Sequence, residues 1–299
     1  MAKFNELDPR FRKGDSTGDC EITMDDCKHM ITENHSGKSI VHGNHYLECI
    51  CINDRSCANE RHPWEKTCHS CERICHPCES EGPVIIITAN TSRTIVVPII
   101  KDTILTVHVH RNAHAIIAFY CVGAGQHNVT LTVQLEQEGA RADIRGVYVM
   151  RESGALEIQT KQIHNARKTQ SSLICRGILF DRSCVKYEGA IVVDNGAQHS
   201  IASQENKNIL RSEQAHAISI PQLEVLTDEV QCAHGSAVGY LDPQALFYLR
   251  ARGLAREQAE RLLLESFLAP AMAVGTSDDQ AFAQMRAVVL AEISSLSRV

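Results

Sequence analysis

Short runs of β-branched and apolar residues recur along the middle of the chain, from residue 84 to residue 193. Apolar and polar residues alternate in several of them, and a period of two is typical of a strand that buries one face. Most runs follow one another at about 10–12 residues. The predicted strands are Val84–Ile87, Ile95–Ile100, Leu105–Val109, Ala115–Val122, Val129–Leu135, Ala142–Val149, Ser172–Leu179 and Ala190–Val193. The pattern therefore predicts a mainly β fold, which is a sandwich, a barrel or a β-solenoid.

The period becomes helical after residue 240. Asp242 and Pro243 are the residue types of an N-cap and a first helical position, and Gly253 suits the end of a helix over 243–252. A second helix is predicted from Arg256 to about Leu268, with one face formed by Ala259, Leu262, Leu263, Ser266 and Phe267. A third begins near Asp278, with a stripe of Phe282, Met285, Val289, Ile293 and Leu296. We expect these stripes to be buried on one another or on the end of the β domain.

Cysteine and histidine are concentrated at the N-terminus. Nine of the 13 cysteines and seven of the 15 histidines lie within the first 78 residues, and this composition ends near Gly82. The chain is therefore divided into a Cys/His-rich segment (1–82), a β core (83–240) and a C-terminal helical domain (241–299). The first segment has little apolar periodicity, so it gains a metal, packs against the rest of the chain or stays loose.

The densest thiol cluster consists of two CxxC pairs, Cys68/Cys71 and Cys75/Cys78, separated by only three residues. A zinc ribbon normally separates its pairs by about 15–20 residues. A helix would spread the four sulfurs too far for one tetrahedral ion, and Pro77 disfavours a helix. A folded loop can still hold zinc or an iron–sulfur cluster. The alternative is a thiol-rich arm that binds metal only adventitiously.

Charge and hydropathy exclude several classes of protein. The formal net charge of -6 disfavours a nucleic-acid-binding domain. There is no apolar run of 18 residues and no apolar stretch at the N-terminus, so we expect a cytoplasmic protein with no membrane span and with reduced thiols. A carbohydrate-cleaving solenoid needs paired carboxylates, and the strands offer only the scattered Asp143, Asp181 and Asp194. We therefore do not expect an enzyme.

Residues 230–254 carry the most specific pattern in the chain. They include Cys232-Ala233-His234-Gly235 and the stretch from Asp242 to Arg250, and this segment resembles the C-terminal signature of the SufB/SufD family of iron–sulfur cluster scaffold proteins. The resemblance continues in residues 205–210, 220–225 and 259–267, so that it spans about 205–268. It does not extend to residues 1–80.

The resemblance implies a fold, a function and partners. The fold is a right-handed parallel β-helix followed by a small helical domain. The function is that of a non-enzymatic subunit that pairs with a SufB-type subunit through the β-helices and docks the ATPase SufC on its C-terminal helices. The two subunits share a transient iron–sulfur cluster, and ATP binding rearranges the pair. The expected partner-binding residues are Leu246, Leu249, Arg250, Leu262, Leu263 and Phe267.

Within this family the chain is similar to the SufD form. The resemblance implies that SufB has a cluster-binding glutamate where this chain has Gly235, and a sulfur-accepting cysteine where it has Asn206. His234 remains as a candidate cluster ligand at the subunit interface, since imidazole is a usual ligand of iron. Its alternative role is to cap the turn before Asp242. Cys232 points the same way on an extended strand, and we expect it to be a small buried apolar residue.

Two functional interpretations remain open. The first is the SufD-like assembly subunit, paired with a SufB-type subunit or with a second copy of this chain. The second is a stand-alone β-solenoid binding module that carries the cysteine-rich arm with zinc or an iron–sulfur cluster. The sequence leaves open whether a flavin takes part.

Overall fold

The computed structural model describes residues 82–273 and 279–296. These residues form twelve strands followed by three helices, which confirms the predicted mainly β fold with a helical C-terminus. The strands are β1 (Val84–Ile87), β2 (Ser92–Pro98), β3 (Thr103–Val109), β4 (His114–Gly123), β5 (Gln126–Leu135), β6 (Arg141–Met150), β7 (Ala155–His164), β8 (Gln170–Leu179), β9 (Cys184–Val193), β10 (Ile201–Leu210), β11 (His216–Val225) and β12 (Gln231–Tyr240). The helices are α1 (Pro243–Ala251), α2 (Arg256–Met272) and α3 (Asp279–Leu296).

The strands form two parallel sheets between which the chain alternates. Sheet A has the order β1-β3-β5-β7-β9-β11 and sheet B the order β12-β10-β8-β6-β4-β2. Every strand pair is parallel. Because each strand pairs with the second strand after it, the chain winds as a β-solenoid of about five turns, and neither a sandwich nor a barrel is formed.

The coils of the solenoid lengthen along the chain. Ile95 pairs with Ile117, 22 positions later. Leu173 pairs with Gln204, 31 positions later. A repeat of variable length leaves no strict period in the sequence, even though the strands stack in register.

Parallel in-register pairing places interior side chains in rows that cross successive coils, and these rows become polar toward the C-terminus. One row in sheet B consists of Ile117, Ile144, Leu173, Gln204 and His234. A neighbouring row consists of Phe119, Gly146, Cys175, Asn206 and Ser236. The apolar core is therefore concentrated in the first coils, and the last coils have a polar interior.

Four strands were not predicted from the alternation of apolar residues: β7, β10, β11 and β12. In three of them the interior positions are largely polar, so the pattern of apolar residues does not mark them. The polar residues buried inside β7 and β10 are Thr160, Gln162, His164, Gln204, Asn206 and Asn208. Side-chain hydrogen bonds replace apolar packing at these positions.

A closed ring of hydrogen bonds fills the interior of the last coils. Tyr148 donates its hydroxyl hydrogen to Asn208 Oδ1 (2.7 Å) and accepts a hydrogen bond from Asn206 Nδ2 (2.9 Å). Asn208 Nδ2 in turn donates to Asn206 Oδ1 (2.8 Å). All three residues are at most 3% exposed. Gly177 lies between Tyr148 and Asn208 in the same row, and only its missing side chain leaves room for the tyrosine ring.

Helices α2 and α3 pack on the outer face of sheet B. Of the two expected burial sites, packing of the helices on one another is confirmed, since apolar residues of α2 and α3 share one cluster. Packing on the end of the β domain is wrong, because the same residues face the outer side chains of β4, β6 and β8. This cluster comprises Ile116, Ala118, Tyr120, Val147, Val149 and Ile178 with Leu264, Leu268, Ala271, Met272, Phe282, Met285, Val289 and Ile293. Helices α2 and α3 therefore leave the C-terminal end of the solenoid uncovered.

The two long helices differ in how well their buried faces were predicted. The stripe on α3 is confirmed, since Phe282, Met285, Val289 and Ile293 are buried and Leu296 packs against them. The stripe on α2 is confirmed for Ala259, which is buried, and for Phe267, which packs against the cluster. It is wrong for Leu262, which is 44% exposed, because Leu264 and Leu268 are the buried leucines of this helix. Three consecutive leucines make the buried face ambiguous in the sequence.

The interior ring predicts that the Gly177→Ala variant is strongly destabilised. The added methyl group overlaps the Tyr148 ring and the Asn208 amide, and over-packing with loss of buried hydrogen bonds costs roughly 3 kcal/mol. The Gly235→Ala variant is the control, because a Cβ there meets no atom within 4 Å, and its effect is expected within about 0.5 kcal/mol. Urea denaturation followed by circular dichroism measures both. Equal stabilities would show that the ring does not hold the last coils.

Candidate functional site

The C-terminal end of the solenoid exposes the edges of two strands. β11 pairs only with β9, and β12 pairs only with β10. Within residues 82–273 and 279–296, no strand pairs with the other edge of either. A free strand edge presents unpaired N–H and C=O groups, which makes it a template for pairing with another chain. We call the exposed faces and edges of β11 and β12 the open end.

Apolar side chains that belong to the interior rows are exposed at the open end. Leu223 and Val225 continue the rows of Ile191 and Val193, which are fully buried, yet they are 41% and 39% exposed. On β12, Tyr240 is 66% exposed. Leu226 and Val238 are exposed there as well, whereas Ile218 and Ile220 are exposed on the outer face of sheet A, where they pair with Lys186 and Glu188. Exposed apolar side chains at the end of a core are typical of an interaction site.

His234 lies at the open end on the interior face of β12. It pairs in register with the buried Gln204 and is itself exposed, because no further coil covers it. Among the described residues its ring makes no hydrogen bond and no ion pair. The turn before helix α1 is capped instead by Asp242, whose carboxylate accepts a hydrogen bond from the amide of Gln244 (2.9 Å). The imidazole is therefore free to act as a ligand.

The residues around His234 have different environments. Cys232 lies on the same face, as predicted, and packs against a buried cluster that includes Ile191 and Val193. This partial burial raises the pKa of its thiol, so Cys232 behaves as a small apolar side chain. Gly235 lies on the opposite face beside open space. Asn206, in contrast, is part of the interior ring.

The buried cysteines of the solenoid are poor sulfur acceptors. Burial raises the pKa of the Cys121 and Cys175 thiols to about 12. Since the thiolate is the reactive form, both thiols stay protonated and inert at neutral pH.

The described residues contain no group of three or more His, Cys, Asp or Glu side chains that could hold a metal ion. His234 alone would therefore be one ligand of a site that another chain completes. The cysteines predicted as metal ligands, Cys68, Cys71, Cys75 and Cys78, lie outside the described residues.

Two of the scattered carboxylates form structural contacts. Asp143 hydrogen-bonds to His114 (2.8 Å) and forms an ion pair with Arg145 (3.1 Å); the hydrogen bond from His114 is the largest influence lowering its pKa. Asp181 accepts a hydrogen bond from the amide of Glu152 (2.8 Å). The two hydrogen bonds hold neighbouring coils together, because each joins residues 29 positions apart, whereas the Asp143–Arg145 ion pair lies within β6.

A groove of about 340 Å³ separates helix α2 from the last two strands of sheet B. It is mainly apolar, and we call it the helix–strand groove. It is lined by Lys207, Asn208, Ile209, Ala237, Val238, Gly239, Tyr240, Leu241, Asp242, Ala245, Leu263 and Phe267. Small outer-face residues on β12 leave its floor open, since no atom lies within 4 Å of a Cβ built on Gly239.

The predicted partner-binding residues do not form one surface. Leu263 and Phe267 line the helix–strand groove, whereas Leu262 is exposed beside it. Three others lie on α1, where Leu246 and Leu249 are half-buried and Arg250 is exposed. Helix α1 has no buried residue at all.

The prediction missed the most exposed aromatic residues of the helical domain. On α1, Phe247 is 74% exposed and Tyr248 is 57% exposed. Arg252 lies 5.2 Å from the centre of the Tyr248 ring. Both aromatic residues lie inside the Asp242–Arg250 motif, which was the only signal that pointed to them.

Two arginines that join α2 to the solenoid were also missed. Arg176 on β8 lies 5.7 Å from the centre of the Phe267 ring. Arg211, directly after β10, donates a hydrogen bond from Nη2 to Glu260 Oε2 (2.6 Å). Neither partner could be identified from sequence, since each lies tens of residues away.

None of the described helices combines the length and the apolar character that crossing a membrane requires.

Comparison with known proteins identifies a family for most of the solenoid. Residues 101–267, more than half of the chain, match the sequence model of the family described as "SUF system FeS cluster assembly, SufBD core domain". The matched range contains β3 to β12, helix α1 and most of α2. It therefore includes the open end and the helix–strand groove.

Individual relatives cover a smaller part of the chain. The iron–sulfur cluster assembly protein SufD of Bacillus subtilis is 32% identical over 139 residues, which are 46% of this chain and 32% of that protein. SufD of Escherichia coli is 30% identical over 147 residues, 48% of this chain and 34% of that protein. SufB of Bacillus subtilis is 26% identical over 148 residues, which are 50% of this chain and 29% of that protein. The matches thus span about a third of the length of these relatives.

Proposed function

We propose that this chain is a SufD-like, non-enzymatic subunit of a cluster-assembly scaffold. The basis is that the chain belongs to the SufBD family of the SUF iron–sulfur cluster assembly system. The observation that carries the proposal is the open end, where, within the part of the chain that the structure describes, two free strand edges, exposed apolar side chains and an unpartnered His234 lie together. The sequence identity of the chain with two SufD proteins, 32% and 30%, supports the SufD-like assignment.

The partner at the open end is a SufB-type subunit. Strand edges attract another strand through backbone hydrogen bonds, and side chains such as Leu223 and Tyr240 add apolar area that is buried on pairing. The partner supplies what this chain lacks at the matched positions, a thiol and a carboxylate. A second copy of this chain would bring another histidine but neither of these groups.

The partner at the helix–strand groove is a SufC-type ATPase. Leu263 and Phe267 offer an apolar surface to a docking side chain, and the exposed Phe247 and Tyr248 lie on the adjoining helix. Aromatic residues exposed beside an apolar groove are typical of a binding hot spot.

The cluster is cargo shared with the partner, not a resident cofactor. His234 offers a neutral imidazole nitrogen, which suits iron. His234 is the last residue of an interior row, so its side chain faces the partner that covers the open end. Its role is to provide one ligand during assembly.

The stand-alone binding module is the second candidate, favoured by the concentration of nine cysteines in residues 1–78. Co-purification separates the two. The module predicts no SufB or SufC partner and a stoichiometric metal that is lost in the Cys71→Ser/Cys75→Ser double variant. The assembly subunit predicts both partners in wild type and in that variant.

The Leu263→Asp variant is expected to lose the ATPase. When the partner covers the groove, the carboxylate becomes a buried unpaired charge, which weakens binding by roughly several kcal/mol. Co-purification with the ATPase should therefore fall below detection. Leu263 is only half-buried in the free chain, so circular dichroism should stay unchanged. The Ala269→Asp variant, exposed elsewhere on α2, is the control and should keep the partner. Undiminished co-purification of Leu263→Asp would remove the groove as the docking site.

The His234→Ala variant is expected to assemble less cluster without losing the complex. Alanine removes the imidazole ligand and very little interface area, so ATP hydrolysis should be normal while iron and sulfide per complex fall several-fold. The His216→Ala variant is the control, because His216 is also exposed at the open end but on β11. Loss of the complex would make His234 a structural residue, and full cluster content would remove it as a ligand.

A further inference from the structure

Helix α2 is joined to the solenoid by two arginines. Arg176 contacts Phe267, and Arg211 contacts Glu260. Glu260 and Phe267 are two turns apart on the helix, or about 10 Å. Leu263 lies between them along the helix and, like Phe267, lines the helix–strand groove. The contact of Arg176 is therefore made with a residue of the groove.

Arg176 contacts three different elements at once. Its side chain is only 8% exposed on the outer face of β8. It donates to the carbonyl of Cys175 (3.1 Å), forms an ion pair with Glu205 of β10 and stacks near the ring of Phe267 of α2. A buried guanidinium is stable only while its partners stay in place. Separation of α2 from the sheet would therefore weaken the contact with β10 as well.

Strand β10 connects this contact to the site. Glu205 of β10 pairs in register with Gly235 of β12, and its neighbour Gln204 pairs with His234. Glu205 is also bound to Lys207 (3.1 Å), which lines the helix–strand groove. The ion pair of Arg176 therefore reaches Glu205, which is adjacent in sequence to Gln204, the residue paired with His234.

Arg211 is less buried than Arg176. The Arg211 side chain is 23% exposed, against 8% for Arg176. Glu260 accepts hydrogen bonds from both Arg211 (2.6 Å) and Arg256 (3.0 Å). Among the described residues, the buried Nε atom of Arg211 has no hydrogen-bond partner. Arg176 is therefore the better candidate for a coupling residue.

We propose that Arg176 is a positioning residue that couples helix α2 to the β10–β12 strand pair, so that occupation of the helix–strand groove changes the stability of the strand that carries His234. The occupant is an apolar side chain of the ATPase, and in this respect the inference rests on the proposed function. The alternative is that Arg176 only fastens α2 to β8.

Hydrogen exchange of the full-length chain, read by mass spectrometry, tests the coupling without any partner. The Arg176→Met variant keeps the apolar stem but loses the ion pair and the charge on the ring. Amide exchange in residues 231–240 should become about tenfold faster. The Arg151→Met variant is the matched control, because Arg151 joins α3 to the solenoid through Glu292 (2.8 Å) far from the groove. It should leave residues 231–240 unchanged. Unchanged exchange in Arg176→Met would overturn the coupling.

A second variant keeps the coupling testable if Arg176→Met does not fold. Phe267→Leu removes the ring and retains the ion pair of Arg176 with Glu205. Faster exchange in residues 231–240 supports the coupling through α2, and exchange that increases only within α2 contradicts it.

Addition of the ATPase separates the two proposals. In the wild type, binding should change exchange in α2 and in residues 231–236, which include His234 and do not line the groove. In Arg176→Met only α2 and the groove-lining residues 237–240 should respond. A response of residues 231–236 that persists in the variant would contradict the coupling. An ATPase that does not bind wild type would contradict the proposed docking, while the comparison without a partner still decides the role of Arg176.

Discussion

A parallel β-solenoid satisfies the backbone of every strand only as long as another coil follows, and here the last coil has no successor among the described residues. Strands β11 and β12 therefore keep one unpaired edge each. Interior side chains that are fully buried one coil earlier, such as Ile191, are followed by exposed ones, such as Leu223. The free edges and the uncovered core support the proposal that a partner covers this end, and His234 lies within the same surface.

The packing of the helices preserves this surface. Helices α2 and α3 bury their apolar faces on the outside of sheet B and leave the end of the solenoid uncovered. The interior of the last coils is held instead by hydrogen bonds, with Tyr148 reaching across Gly177 to Asn206 and Asn208. The two proposed partner surfaces, the open end and the helix–strand groove, share strand β12. In the proposed coupling, binding at one surface influences the other through β10, the strand that pairs with β12.

The sequence predicted those parts of the fold in which apolar residues keep the period of their element. The alternating strands, the Asp242 cap and the α3 stripe are found as expected. Strands β7 and β10 were missed because their interior residues are polar, and α2 was misread because of three consecutive leucines. His234 was identified by resemblance, since an exposed histidine on an edge strand has no periodic signal. Contacts such as that of Arg176 with Phe267 depend on which coils stack, and no local pattern encodes this.

The central claim is that the open end is the face that pairs with a SufB-type subunit. Site-specific photo-cross-linking in the assembled complex tests it most directly, with p-benzoylphenylalanine placed either at Leu223 on the open end or at Gln159, which is exposed on the outer face of sheet A. Cross-links to the SufB-type subunit from position 223 and none from position 159 are the predicted result. A complex that cross-links from position 159 and not from position 223 would contradict the account.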